Sequence, residues 1–299
     1  MARTIKTMRW SGFKQLLALS GMCAVTAGCG GEAGQPASEP ATEQAQPLAG
    51  NWVKVWGDEF DGDDVKAANW SYNTTIHVNN EQQRYTKAPQ NVDVRDGMLR
   101  ITARFDPANG YPFTSGRLES QDKREFGNAR VEARIKMPVG PGLWPAFWML
   151  GADINNNPWP GCGEIDIMEN VGYANWYSGA LHGPGYSGGS PIDAGRFNPD
   201  PGVGTFHVYG IEYSPTGIKW FLDGALVHTV TKAQVQQRGA YVFDKKFFII
   251  LNLAVGGAYP QAINGATAPY PGVPRETLEK IKENPQTMEV DWVRVYQLQ

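Results

Sequence analysis

Trp159-Pro160-Gly161-Cys162-Gly163-Glu164-Ile165-Asp166-Ile167-Met168-Glu169-Asn170 is the run around which the rest of the chain is organised. Glu164, Asp166 and Glu169 are interleaved with Ile165, Ile167 and Met168 and preceded by Gly161 and Gly163, a composition that suits a strand better than a loop. On a helix, Glu164 and Glu169 would stand about 140° apart around the axis and could not converge on one substrate. On a regular strand, Glu164, Asp166 and Met168 share one face while Glu169 points to the other. One extra residue between Asp166 and Glu169, a β-bulge, returns Glu169 to the first face, and bulges are over-represented beside active sites. The spacing thus predicts a bulged strand with three carboxylates facing one cleft.

A row of like charges is destabilising unless at least one proton stays on, so neighbouring acids are driven to different pKa values. Glycoside hydrolysis uses such a split: one carboxylate ionised to attack the anomeric carbon, another protonated to donate to the leaving oxygen. The competing reading is a solvated strand face or a metal-binding acidic patch, and for a bare Glu-x-Asp-x-x-Glu that plainer reading has the edge.

The surroundings change the weighing. Glu164-Ile165-Asp166-Ile167-Met168-Glu169 resembles the active-site signature of glycoside hydrolase family 16, in the bulged form of its endo-1,3-β-glucanase (laminarinase) branch. Gly142 to Leu150 before it, Leu181 to Gly189 after it and Asn252 to Gly257 further on resemble the same family in the same order, and the likeness runs from about Trp52 to Tyr296.

The amino-terminal segment carries Arg3, Lys6, Arg9 and Lys14 without an acid, then a short apolar run from Leu16 to Val25 and small residues. That pattern is a secretory signal over residues 1–28 and not part of the fold. Cys29 after Ala27-Gly28 resembles a bacterial lipoprotein site, where the cysteine becomes a lipid anchor; Thr26, where such sites usually carry Leu, keeps ordinary cleavage and plain secretion open. Residues 29–50, rich in Gly, Ala, Pro, Gln, Ser and Glu without an aromatic, read as a disordered linker. Residues 51–299 are the expected catalytic domain, acting as a monomer.

Taking four cations away with residues 1–28 turns the formal net charge of −3 into −7, a poor match to nucleic acid. Of three cysteines, Cys23 lies in the signal and Cys29 at the proposed lipid site, which leaves Cys162 alone and predicts no structural disulfide. Strand alternation places Cys162 in the cleft beside the carboxylates as an inert thiol.

Asn128 to Met137 alternates strictly, with Ala129, Val131, Ala133, Ile135 and Met137 on one face, and reads as a half-buried strand. Met98 to Phe105 is similar. Ile218 to Leu222 and Ala225 to Val230 flank the hairpin signal Asp223-Gly224, Phe247 to Val255 is an apolar strand, and Val290 to Tyr296 closes the chain. The one convincing helical pattern is Arg275 to Glu283. Short strands separated by Gly and Pro turns argue an all-β sandwich or barrel. The family resemblance implies a β-jelly-roll of two antiparallel sheets with a concave substrate cleft.

Sugars offer flat C–H faces to aromatic rings and hydroxyl rims to fixed polar groups. Trp144 and Trp148 are cleft candidates by their motif, whereas Trp52, Trp56, Trp70, Trp220 and Trp292 read as core. By resemblance, Asn80, Arg117 and His182 line glucan subsites; His77, His207 and His228 read as ordinary packed or surface residues. Ala258-Tyr259-Pro260-Gln261 departs from the family's usual Asn-Trp-Pro-Gly, which puts stacking at a distal subsite in doubt. The resemblance also implies a structural Ca²⁺ on the convex side, with Glu59 and Gly97 offering carbonyls and Asp291 a carboxylate; surface acids without metal are the alternative. No organic or redox cofactor is needed.

The resulting expectation is an exported, membrane-anchored or secreted endo-β-1,3-glucanase working with retention, with Glu164 as nucleophile, Glu169 as acid/base and Asp166 hydrogen-bonded to Glu164. A hydrolase of mixed-linkage glucan or algal galactan, or a silent glucan-binding module, stands as the alternative.

Overall fold

The computed structural model describes residues 50–108 and 110–299. The proposed signal (1–28) and the proposed linker up to residue 49, including Cys29, lie outside the described residues. Among the described residues the chain forms eighteen strands and three short helices. In order they are β1 (Trp52–Asp58), β2 (Ser71–Tyr72), β3 (Gln83–Tyr85), β4 (Val92–Arg95), β5 (Met98–Ala108), β6 (Tyr111–Ser115), β7 (Arg117–Glu119), β8 (Glu125–Phe126) and β9 (Ala129–Lys136). Then come β10 (Leu143–Gly151), β11 (Glu164–Glu169), β12 (Tyr177–His182), β13 (Ile192–Phe197), β14 (His207–Ser214), β15 (Gly217–Leu222) and β16 (Ala225–Thr231). The chain ends through α1 (Lys232–Gln236), β17 (Phe247–Val255), α2 (Ala258–Asn264), α3 (Arg275–Glu283) and β18 (Gln286–Leu298).

Two sheets form the jelly-roll. One runs β16-β15-β14-β9-β18-β5-β6-β3, with β1 added on β18 and β4 on β5; the other runs β13-β12-β11-β10-β17-β7-β2, with β8 on β17. Neighbours pair antiparallel except β3 with β6. The expected inward face of β9 packs as read, with Ala129, Val131, Ala133, Ile135 and, just after the strand, Met137 all buried. Across the sandwich they belong to one core with the odd-numbered residues of β17, Phe247, Ile249, Leu251, Leu253 and Val255, and with Leu143, Phe147 and Met149 of β10. Each Val, Leu, Ile, Phe or Met side chain so removed from water contributes roughly 1.5–3 kcal/mol before entropy is charged.

Three expectations change. The outer face of β9 is not simply solvated: Arg130 and Glu132 are themselves buried, with Arg130 bound to Glu132 and Glu212 and lying 4.3 Å from the Phe221 ring centre. Two helices beyond Arg275–Glu283 form. α1 spans only five residues, too short for a periodic signal, and is held by a reciprocal cap between Thr231 and Gln234; α2 starts behind Gly257, whose φ of 102° favours glycine. Trp70 and Trp220 are buried as expected and Trp56 packs on the core, but Trp52 and Trp292 are only half-buried. For Trp292 the cause is a bulge in β18: Val290 and Val293 both face the core, so Asp291 and Trp292 are left outside, with Arg294 over the indole at 4.0 Å.

Candidate active site

The site begins with the bulge in β11. Against β12, Asp166 pairs with Ala180 and Glu169 with Ser178; against β10, Asp166 pairs with Trp148 and Met168 with Phe147. One residue is therefore extra, and the consecutive Ile167 and Met168 both point into the core. Glu164, Asp166 and Glu169 are left on the opposite face, as the spacing predicts. At the start of the bulge the Trp220 indole, reaching across the sandwich from β15, donates to the Asp166 carbonyl at 2.9 Å. Gly179 makes room: a Cβ there would lie 2.5 Å from Trp220 Nε1.

The flanking strands furnish the walls. From β10, the even-numbered Trp144 and Trp148 rise on the carboxylate side, since their odd neighbours fill the core. Trp144 Nε1 donates to Glu169 Oε1 at 2.8 Å, and Trp159, 43 % exposed, donates to Glu164 Oε2 at 3.0 Å. Trp148 donates to Asn252 Oδ1 at 2.7 Å, and the Arg117 guanidinium sits 4.8 Å from the Trp148 ring centre while pairing with Glu119 at 2.7 Å. His182 faces Glu164 in register and brings Nε2 to 3.5 Å from Glu164 Oε1 and 3.2 Å from Asp166 Oδ2. Trp144, Trp148, Arg117 and His182 thus gather around the carboxylates.

Asn80 makes no hydrogen bond to the carboxylates, although its neighbour Glu81 acts on the charge of Glu169. Asn80 is exposed in the loop before β3 at φ 55°, its carbonyl accepting from Gln82 Nε2 at 2.5 Å, beside the start of α2 where Ala258 N donates to Asn79 O. The histidines set aside behave as expected: His207 is held by Asp223 at 2.7 Å, His228 packs on Trp220 and His77 on Tyr111.

All three acids are pushed up from the ordinary carboxylate range, and burial is the largest cause for each. For Glu164 the charge of Asp166 adds to it, opposed by His182 and by the Trp159 hydrogen bond; for Glu169, pushed up to about 8, Asp166 again adds and the Trp144 hydrogen bond opposes. The tie expected between Asp166 and Glu164 is one of charge, because the buried Asp166 Oδ2 accepts no hydrogen bond.

A layer of buried polar residues supports this row and was not singled out in the sequence. Tyr85 donates to Glu81 Oε2 at 3.1 Å and accepts from Asn252 Nδ2 at 3.3 Å, while Gln83 links Glu81 to the Val255 amide. Asn252 carried a usable signal, being the one polar residue in the apolar run Phe247–Val255; Glu81 carried none. Tyr259 packs edge-on to Trp144 at 5.5 Å and shares a 3.1 Å hydrogen bond with Ser178, so the departure from the family's usual tryptophan still contributes an aromatic wall.

Cys162 corrects its expectation. It keeps to the carboxylate side of the sheet, as the alternation predicts, but the thiol is sealed among Leu150, Phe248 and Ile250 rather than lining an accessible floor. Burial, more than its anionic neighbours, pushes it up to about 11.

On the convex side, Asp58 pairs with Val293 and Leu99 with Val290, so Glu59, Gly97 and Asp291 flank the same bulge of β18. The Glu59 carboxylate is taken by Arg294 at 2.8 Å and Lys54 at 2.7 Å, and Asp291 Oδ2 by Arg134 at 2.7 Å. Asp291 Oδ1 and the carbonyls of Glu59 and Gly97 are the oxygens such a donor set leaves to a hard cation. A separate hollow of about 780 Å³, bordered by Tyr72, Arg84, Tyr85, Lys87 and Lys123, holds none of the three clustered acids.

The model of the glycosyl hydrolases family 16 matches residues 58–293. The chain belongs to this family. Among curated proteins it is 34 % identical over 271 residues to glucan endo-1,3-beta-glucosidase A1 of Niallia circulans, covering 82 % of this chain but only 38 % of that longer protein. Among solved structures it is similar to the endo-beta-1,3-glucanase of Pyrococcus furiosus, at 42 % identity and TM-score 0.70 over 82 % of this chain and 94 % of that one. It is similar also to the laminarinase catalytic domain of Thermotoga maritima, at 36 % identity and TM-score 0.74 over 83 % and 99 %. The family 16 membership and its laminarinase-like branch, reached above from four sequence motifs, are met by these likenesses.

Proposed function

We propose that this family 16 chain is an endo-acting hydrolase of β-1,3-glucosidic bonds in laminarin-type glucan, working by double displacement. The observation that carries the reading is the bulge-assembled row Glu164, Asp166, Glu169 with a different indole donating to each glutamate. Glu164 attacks the anomeric carbon as Glu169 gives its proton to the leaving oxygen; Glu169 then deprotonates the water that releases the sugar from Glu164. Burial raises Glu164 and Glu169 alike, so the division of roles rests on their places in the motif rather than on a split in proton affinity. The charge of Asp166 raises both glutamates, which disfavours their giving up protons together. Trp144, Trp148, Trp159 and Arg117 supply rings and a fixed cation along the cleft.

The basic-apolar amino terminus and Cys29 support export, with a lipid anchor or free secretion as the end state, and the domain acts as a monomer. Asp291 with the carbonyls of Glu59 and Gly97 would hold a structural Ca²⁺, which would supply a hard cation tying together the segments that carry them. The substrate is tested by reducing-end release and product sizing on laminarin, barley mixed-linkage glucan and agarose. Laminarin is expected to be cut fastest, into oligosaccharides of several lengths from the outset; cleavage of agarose alone, or of none, overturns the reading.

A further inference from the structure

Three residues of the cleft also make up a metal-ligand set. One oxygen each of Glu164 and Asp166 and a ring nitrogen of His182 all lie within 4.8 Å of one another. Zn²⁺ binds imidazole nitrogen at about 2.0–2.1 Å and carboxylate oxygen at about 2.0–2.2 Å in a tetrahedron, which sets neighbouring ligand atoms about 3.4 Å apart. His182 Nε2 stands 3.2 Å from Asp166 Oδ2 and 3.5 Å from Glu164 Oε1. Asp166, only 3 % exposed, has this same Oδ2 buried and without a hydrogen-bond partner, so an acceptor faces the position a cation would fill.

We propose that Glu164, Asp166 and His182 form a reversible inhibitory site for a borderline divalent cation of the Zn²⁺ class, open to the cleft at its fourth position. One imidazole with two carboxylates matches zinc and is too few oxygens for Ca²⁺, which takes six to eight. Ligating histidines normally donate their other ring nitrogen to an acceptor that fixes the ring, and His182 Nδ1 has none. The site therefore lacks the outer support of a resident catalytic metal and suits an ion that comes and goes. Cys162 takes no part, being sealed among Leu150, Phe248 and Ile250. A cation here ties up the Glu164 oxygen that would form the glycosyl bond; that consequence rests on the hydrolase reading, whereas the binding itself does not.

Untagged, metal-stripped full-length protein is titrated with ZnCl₂ by calorimetry, alone and with saturating laminaritriose, and the titration is repeated on His182→Gln and Asp166→Asn. Expected are one zinc per chain in the cleft, loss of that binding event with the sugar present, and at least tenfold weaker binding in either variant that circular dichroism shows to be folded. Co²⁺ in the wild-type protein should give a tetrahedral visible band, without thiolate charge transfer, that laminaritriose removes; this reading needs no variant. Zinc binding unchanged by both the sugar and the substitutions, or a Co²⁺ band indifferent to the sugar, overturns the site. Laminarin hydrolysis by the metal-stripped protein is assayed separately: its absence contradicts the hydrolase reading and leaves the titrations as they stand.

Discussion

The indole nitrogen of Trp220 donates to the backbone carbonyl of Asp166 at 2.9 Å, from the opposite sheet and through the gap left by Gly179. That carbonyl lies at the start of the bulge that turns Glu169 toward Glu164, so a core tryptophan from the facing sheet is tied to the strand where the catalytic geometry is set. Trp220→Phe should keep the fold and lose the bond to that carbonyl, costing about 1–3 kcal/mol in urea-induced unfolding. It should lower kcat more than it raises KM, because the bulge positions groups that act in the transition state. A variant as stable and as active as the parent would separate the bulge from Trp220.

The raised acids make stability fall as pH rises. Glu169 has an ordinary value of 4.5 and is pushed up to about 8, so between those values the folded protein holds a proton the unfolded chain has lost. Its favourable contribution is complete below 4.5 and is lost as pH rises through about 8. Glu169→Gln removes this loss: relative to the parent, its melting temperature should gain at least about 2 °C on going from pH 5 to pH 9. The same proton should set the alkaline limb of kcat/KM in the parent. Parallel melting curves across that range would show that Glu169 is not held protonated.

For the thiol, burial and a position near 11 predict silence toward dithiobis-nitrobenzoate in the native state, with or without laminari-oligosaccharide, and full reaction in denaturant. Cys162→Ser places a hydroxyl among Leu150, Phe248 and Ile250 and should destabilise by about 1–3 kcal/mol with little change in KM. Ready labelling of folded protein that sugar prevents would put the thiol in the cleft after all.

Much of this was legible from local pattern. The bulge follows from Glu-x-Asp-x-x-Glu with apolar residues between, since only a two-residue inward step satisfies both faces, and β17 and α3 occupy the ranges their periodicity indicates. What stayed hidden depends on contacts between distant positions. Trp220 reads correctly as core, yet nothing near it in sequence announces its hydrogen bond to a residue 54 positions away. Cys162 reads as a cleft-side residue, and what hides its thiol is the packing of Leu150, Phe248 and Ile250 from two other strands. Tyr85, bound to Glu81, meets Asn252 from 167 positions away, so their network exists only once the sheets are assembled.

Replacing the nucleophile distinguishes a hydrolase from a glucan-binding module. Glu164→Gln should lose at least about 10³-fold in kcat while still binding laminari-oligosaccharide within a few-fold of the parent, because the lost group acts mainly in the transition state. Undiminished turnover, or loss of binding with loss of turnover, would contradict its role.

The double displacement itself is tested most directly by proton NMR of the anomeric signals during the first minutes of laminarin hydrolysis, before mutarotation equilibrates them. Two displacements at one carbon, with Glu164 attacking and Glu169 protonating and then deprotonating, predict that the β-anomer of the new reducing end appears first. First appearance of the α-anomer would mean that water attacks the sugar directly, and would contradict the account of Glu164 as nucleophile.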